Sequence, residues 1–242
     1  MSKGIYAALS GAVAQTVALE TTAQNLANAG TTGYHGARPI FHEVLSRAAR
    51  SPREGAERHM GVSSTAMDMT PGATKATGQP LDIALPPRSF LSVSTDRGDR
   101  YTRAGSLRIG SDGTLRTSAG DPVLSDAGKP IKVDPASAPA ITPDGEVRAG
   151  GATVARLGLV TFDNPERMTH EGAGVLAAAP DAGAPRAAKE KVETGALEES
   201  NATPVRAMTD LLQANRLFEA FTRTIEAFHE ADRKVVTIAS KD

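Results

Sequence analysis

The stretch PVRAMTDLLQANRLFEAFTRTIEAFHEADRKVVTIAS, residues 204–240, carries no glycine and no proline after its first residue, and its apolar side chains recur at three- and four-residue steps. Leu211, Ala214, Phe218, Phe221, Ile225, Phe228 and Val235 form the stripe, with Asp232 as its one polar break. That spacing predicts a long helix with a heptad seam. At 1.5 Å per residue such a helix would be roughly 50 Å long, too long for one small globular body to cover. Three of the six Phe residues lie on the seam, in a chain with no Trp and only three Tyr. Much of the aromatic surface therefore waits for a partner helix or another subunit. Thr203 is placed as the N-cap and Pro204 as the first helical residue, where its missing N–H costs nothing. Glu219 with Arg223 and Glu230 with Lys234 are spaced as i,i+4 pairs on the outer face.

The other end of the chain has the same period. Ile5, Leu9, Ala12, Thr16, Leu19, Ala23 and Leu26 alternate at four and three residues, predicting a helix over residues 3–28 that Gly30 and Gly33 terminate. Its stripe is rich in small residues, which lets a second helix approach closely. Lys3 followed by Ile5 to Ala14 loosely imitates a cleavable signal peptide, but the helical pattern carries on past the imitated cleavage site.

Between the ends the pattern changes. Residues 34–78 show little periodicity; Phe41, Val44 and Leu45 suit a short helix or an extended piece, and Ser51–Gly61 reads as a connector. Arg47, Arg50, Arg53 and Arg58 cluster there, but Glu54 and Glu57 among them and the lack of interleaved aromatics favour a solvated loop over a nucleic-acid patch. From Pro80 to about Ala179, short β-type runs alternate with turn signals. The expected strands are Leu81–Leu85, Phe90–Ser94, Arg100–Arg103, Leu107–Ile109, Leu115–Thr117, Ile131–Val133, Glu146–Arg148, Thr153–Ala155 and Leu157–Phe162. Ser111-Asp112-Gly113 and Pro143-Asp144-Gly145 read as hairpin turns, since neither has the spaced acidic ligands of a calcium loop. Ala177–Ala188 reads as a loop.

The 242 residues balance 27 basic against 28 acidic side chains, so no chain-wide field attracts nucleic acid or an acidic membrane. Cysteine is absent, which excludes disulfides, thiolate zinc sites and thiol catalysis. No run approaches the length of a membrane-spanning helix. Gly-rich phosphate loops, nucleophile elbows and paired zinc histidines are all missing. His35, His42, His59, His170 and His229 are scattered and read as surface residues. Asp96 and Asp99 sit in a turn signature flanked by Arg97 and Arg100, not in a carboxylate pair for glycoside chemistry. No catalytic residue, metal site or cofactor is expected.

Four segments, in order, resemble the flagellar rod and hook axial proteins. Asn25-Leu26-Ala27-Asn28-Ala29-Gly30-Thr31-Thr32-Gly33-Tyr34 resembles the family's N-terminal signature, and Thr77-Gly78-Gln79-Pro80-Leu81-Asp82-Ile83-Ala84-Leu85 the entry to its β domain. Tyr101-Thr102-Arg103-Ala104-Gly105-Ser106-Leu107 with Ser111-Asp112-Gly113-Thr114-Leu115 is similar to that domain's next motif. Gly195-Ala196-Leu197-Glu198-Glu199-Ser200-Asn201 followed by Pro204-Val205 is similar to the return into the C-terminal helix. The start of the chain and its length are most similar to the rod members. Departures are His35, where the family usually has Lys or Arg, Ala29 where Val is common, and Thr203 where Asn is usual. Arg206 stands at a capping-box Glu position, and Leu85-Pro86-Pro87-Arg88-Ser89-Phe90 replaces a Gly-Asp-Gly-Phe approach.

The resemblance implies an α+β subunit whose N- and C-terminal helices form a coiled-coil layer around which a central all-β domain is carried. The corresponding divisions are helix 1–28, connector 29–79, β-rich outer domain 80–190, return connector 191–203 and helix 204–242. It further implies a non-enzymatic rod subunit of the bacterial flagellar basal body, most similar to the proximal rod subunits, with a distal rod or hook-type axial subunit as the alternative within the family. Such a subunit leaves the cell through the flagellar type III export apparatus without a cleaved signal and polymerises with other rod subunits, or with copies of itself, into a torque-transmitting shaft across the periplasm. Neither nucleic acid nor membrane insertion belongs to that picture. The expected assembly residues are Ile5, Leu9, Leu19 and Leu26 on one helix and Leu211, Phe218, Phe221, Ile225 and Phe228 on the other. The expected motif residues are Asn25, Leu26, Ala27, Asn28, Thr32, Gly33, Tyr34, Ser200, Asn201 and Pro204. A competing reading of another class is a secreted β-sandwich binding module dimerised by its terminal helices.

Overall fold

The computed structural model describes residues 2–46 and 57–239. It is a mixed α and β chain: helix α1 spans Ser2–Ala27, helix α2 spans Pro204–Ala239, and a strand-rich region lies between them in sequence. The chain divides into two compact units. One holds α1 up to Leu26, strand Ala37–Ser46, most of strand Glu57–Met67, and α2; the other holds Ala27–Gly36 and Ala66–Thr203.

In the first unit, α1 runs unbroken through Ala12-Val13-Ala14 and α2 begins at Pro204. The i,i+4 pairs expected on α2 form, Arg223 to Glu219 at 3.8 Å and Lys234 to Glu230 at 2.8 Å, both exposed. Strands Ala37–Ser46 and Glu57–Met67 pair with each other in part of the stretch read as a connector. The extended option for Phe41, Val44 and Leu45 is the one adopted. Most of the arginine cluster at Arg47, Arg50 and Arg53 lies outside the described residues.

The second unit is built on a six-stranded sheet with the order Met168–Gly172, Val175–Ala178, Gly98–Thr102, Ser89–Thr95, Leu159–Thr161, Arg186–Ala187, every neighbouring pair antiparallel. Its centre is Ser89–Thr95, whose Phe90, Leu91 and Val93 are fully buried. Thr95 pairs with Gly98 across a two-residue loop, so Asp96 and Arg97 are turn residues; Arg97 and Arg100 both pair with Glu171, at 3.7 and 2.8 Å. A three-stranded sheet orders Ala152–Arg156, Glu146–Ala149 and Ala140–Ile141, and Leu107–Ile109 pairs with Leu115–Thr117. Aliphatic residues Ile83, Leu91, Val93, Leu115, Val123, Ile131 and Val147 form one core. Phe90, Phe162, Met67, Met168 and Leu176 form a second, where Phe162 meets the Phe90 and Tyr101 rings edge-on. Aromatic edge-to-face contacts of this kind add to area burial.

The two Asp-Gly turns form as expected, Gly113 N–H donating to Gly110 O and Gly145 N–H to Thr142 O, each glycine at positive φ. Asp112 accepts from Arg116 and from the Thr114 backbone and hydroxyl, which hold its carboxyl well below the usual carboxylate range. It is a turn-stabilising carboxylate.

Some elements escaped the strand reading. Met168–Gly172 and Val175–Ala178 form a hairpin beyond the last expected strand, closed by Gly172, Ala173 and Gly174, all at positive φ. Ala177–Ala188, read as a loop, contains the end of that hairpin, a 3₁₀ turn Pro180–Ala182 and the two-residue strand Arg186–Ala187. Pieces this short carry no measurable period. Ile131–Val133 is not a regular strand but is fixed by the Thr114–Lys132 bridge and by Ile131 N–H donating to Val123 O.

The Pro86–Ser89 turn replaces the glycine-containing approach, and it is strained. Ser89 N–H donates to Pro86 O at 3.2 Å and Arg88 stands at φ 60°, the third position of a turn that favours Gly or Asn there. The Arg88 contact with Glu166 is 3.6 Å and exposed, so it adds little. Arg88→Asn is therefore expected to stabilise the protein by about 0.5–1 kcal/mol, raising Tm by roughly 2 °C. An unchanged or lower Tm in a thermal melt would show that the turn is not strained.

Candidate functional site: a helix seam and a buried polar knot

Along α2 the seam residues Leu211, Phe218, Phe221, Ile225, Phe228 and Asp232 are half-buried and Ala207 and Ala214 are buried, while most residues between them are exposed. A side chain at Gly11 would run into the Phe221 ring, and one at Gly4 would lie 2.6 Å from Cζ of Phe228. Seven residues forward on α1 thus match seven residues back on α2, so the two helices face each other antiparallel. The side chain of Val235, further along the stripe, lies outside the described residues.

The face that α1 turns inward is smaller than expected. Ala8, Gly11, Ala12, Ala14 and Thr21 are buried, Ile5, Leu19 and Leu26 are half-buried, and Leu9 is 49% exposed. The reason is steric: phenyl rings projecting from α2 need ground without a Cβ, and Gly4 and Gly11 supply it. Glycine inside a helix costs about 1 kcal/mol relative to Ala, which the ring contact must offset. The larger side chains turn outward instead. Tyr6, Leu9 and Val13 form one exposed row on α1, and Val205, Met208 and Leu212 another on α2, each at helical spacing.

Among the motif residues, Asn25 behaves as a backbone mimic: its amide donates to Ala37 O at 2.7 Å and its Oδ1 accepts Ala37 N–H at 2.9 Å. Ala27 closes α1, and Asn28 accepts the Thr31 N–H at its carbonyl, at 3.0 Å, and the Thr31 hydroxyl at its side chain. Thr32 is half-buried beside them. Gly33 has φ 67°, and a side chain there would strike the Arg103 carbonyl, so this position requires glycine twice over. Ser200 caps the Ala202 N–H at 3.1 Å, two residues before Pro204 opens α2.

The rest converge on a buried polar knot in the second unit. Glu198 Oε2 accepts from Arg103 Nε and Nη2 at 3.0 and 2.6 Å, and its Oε1 accepts from His35 Nε2 and from Gly72 N–H, both at 3.0 Å. Arg103 spends its remaining donors on the carbonyls of Leu85, Pro86 and Ser89, and its guanidinium lies over the Phe90 ring. Asn201 accepts Gly36 N–H at 2.7 Å and donates to the carbonyls of Asp68 and Thr70. Gly33 N–H donates to Glu198 O, and Asn201 N–H to Tyr34 O. Tyr34 stacks on His170, whose Nε2 donates to His35 O at 2.8 Å. Arg103, His35 and Glu198 are all under 5% exposed.

Electrostatics follow from that burial. Burial pushes the Glu198 carboxyl up, but the His35 hydrogen bond and the Arg103 charge outweigh it and hold the group below its ordinary value. Burial lowers His170 and pushes Tyr34 up to about 12, so both are neutral near pH 7. The knot clamps the chain that leaves α1 to the chain that enters α2.

His35, read as a surface residue, is buried, and His170 is packed against Tyr34; His229 is exposed, while the His42 and His59 side chains lie outside the described residues. No cluster of His, Asp or Glu able to hold a metal occurs among the described residues. Nor is any described helix long and apolar enough to cross a membrane.

Three family profiles match successive parts of the chain: "Flagella basal body rod protein" over residues 5–35, "Flagellar hook protein FlgE/F/G D1 domain" over 85–149, and "Flagellar basal body rod FlgEFG protein C-terminal" over 193–238. Full-length relatives agree. The flagellar basal-body rod protein FlgF of Caulobacter vibrioides is 30% identical over 239 residues, covering 98% of this chain and 97% of that protein. The chain belongs to the flagellar basal-body rod protein family. FlgF of Salmonella typhimurium is 35% identical with 99% of each chain covered, and FlgG of Bacillus subtilis is 28% identical with 98% and 99% covered. Each matched profile contains one member of the polar triad: His35 falls in the first, Arg103 in the second and Glu198 in the third. In this chain the knot is where residues from the three matched segments meet.

Proposed function

We propose that this chain is a structural subunit of the flagellar basal-body rod, of the F type, with no enzymatic role. It polymerises with other rod subunits and copies of itself, after export through the flagellar type III apparatus with its N-terminus intact, into the shaft that carries torque across the periplasm. Helices 1–28 and 204–242 form an inner coiled-coil layer, and residues 80–190 an outer β domain held by the segments 29–79 and 191–203. The observation that carries this reading is the pair of antiparallel helices that use one face on each other and leave a second apolar row exposed. A heterologous contact between such rows repeats into a helical array. The relatives cover the terminal helices as well as the β region, and a binding module merely dimerised by its ends does not account for that match.

The exposed row gives a test that separates assembly from folding. Leu9→Asp combined with Val13→Asp changes residues about half exposed on α1. The purified double variant should melt within about 1 °C of wild type, because exposed substitutions cost little. In a strain lacking the protein it should fail to restore swimming. Normal swimming with the double variant would remove the outer row from the assembly surface.

A further inference from the structure

His35 has both ring nitrogens committed to oxygen acceptors. Nδ1 lies 2.7 Å from the Asp68 carbonyl and Nε2 lies 3.0 Å from Glu198 Oε1. A carbonyl and a carboxylate only accept, so each ring nitrogen must donate, and only imidazolium has two N–H groups. Asn201 does not relieve this. Its two amide hydrogens go to the carbonyls of Asp68 and Thr70, leaving none for Nδ1 at 3.5 Å. Placing the shared proton on Glu198 Oε1 instead is opposed by Arg103, which binds the same carboxylate twice, and by Gly72 N–H, which already occupies Oε1. The other groups facing His35 are compatible with its charge: His170, which donates to its carbonyl, is kept neutral by burial, and Tyr34 beside it is un-ionised. Arg103 repels a second cation, but the carboxylate stands between them.

We propose that His35 is a proton-operated latch: as imidazolium it locks the Gly33–Gly36 segment to the Glu198–Asn201 segment, and loss of its proton loosens that junction while leaving the β core intact. The sign follows from which form the site binds. A cation stabilised by folding contributes its stability at low pH and loses it as pH rises. Without the proton, one ring nitrogen presents a lone pair to an acceptor in a buried site. A lock of this kind makes the firmness of the junction between those two segments depend on the pH of the compartment the subunit occupies.

Amide hydrogen exchange on the full-length protein tests it, with Gly36 and Gly72 as reporters of the knot and Leu91 as the core reference. Between about pH 6 and about pH 9, after correction for intrinsic exchange, Gly36 and Gly72 should lose about tenfold to a hundredfold more protection than Leu91, the equivalent of one charge-assisted hydrogen bond. His35→Lys, which keeps a cation across the same range, should abolish that excess. Equal loss at the knot and the core in wild type, or the same excess in His35→Lys, would overturn the latch. Ring-nitrogen chemical shifts of wild-type His35 give a second reading independent of the variant's folding. Two protonated nitrogens at about pH 6 are expected, and one free nitrogen there would also overturn it.

Discussion

Phe221→Asp is expected to abolish swimming in a strain that depends on this chain, and to remove the protein from isolated basal bodies. The Phe221 ring fills the space that Gly11 leaves open on α1. Losing a packed phenyl ring costs up to about 3 kcal/mol, and a carboxylate pressed against the glycine face must also be desolvated without a partner. The antiparallel pairing of α1 and α2 should therefore come apart. Phe221 lies on the first unit, so the six-stranded sheet of the second should keep its near-native dispersion in NMR spectra. Phe221→Leu, which retains apolar bulk, should restore most motility. If the aspartate variant swims normally, the α1–α2 seam is not needed for the subunit to work in an assembly.

Glu198→Ala attacks the other element. It leaves Arg103 and His35 buried without the carboxylate that both address, and breaking a buried ion pair from one side costs about 3–5 kcal/mol. Against a typical total stability of about 5–15 kcal/mol, that is a large fraction. Tm should fall by roughly 10 °C. The acid side of wild-type stability should carry the same signature. Because the Glu198 carboxyl is held below its ordinary value, its contribution is full above the unfolded-state value and is lost as pH falls through the folded-state one. Glu198→Ala should flatten that acid slope in a series of melts. A variant melting within a degree or two of wild type, with the slope unchanged, would mean the knot is not a stabilising junction.

The two elements differ in how far the chain itself announces them. The α2 stripe was legible because Leu and Phe at three- and four-residue steps produce a strong period, and the same residues prove to be the half-buried ones. The inward face of α1 was only partly legible. Its contact residues are Gly4, Gly11 and buried alanines, which carry almost no hydropathy signal, so Leu9 drew attention although it points outward. The hairpins at Ser111–Gly113 and Pro143–Gly145 could be read because an Asp-Gly pair states its own backbone geometry. Met168–Gly172 and Val175–Ala178 could not, since Thr, His, Glu and Gly dominate the first and Ala the second.

The polar knot was least legible of all. Its members are 163 residues apart for His35 with Glu198 and 95 apart for Arg103 with Glu198, and no local pattern connects them. Each sat inside a motif singled out by resemblance or directly beside one, without a chemical role attached. The one physical clue was positional: His35 follows Gly33, a glycine in the αL region, where the chain turns sharply after leaving α1. Placing a titratable residue immediately after such a turn marks it for burial only once the partner strand is known.

Electron cryomicroscopy of isolated basal bodies, with density for this chain assigned by its side chains, tests the central claim most directly. This chain is expected within the rod, with α1 and α2 forming the inner layer and the six-stranded sheet lying outside it. Its absence from rods that are otherwise complete, or a rod in which α1 and α2 face outward, would contradict that claim.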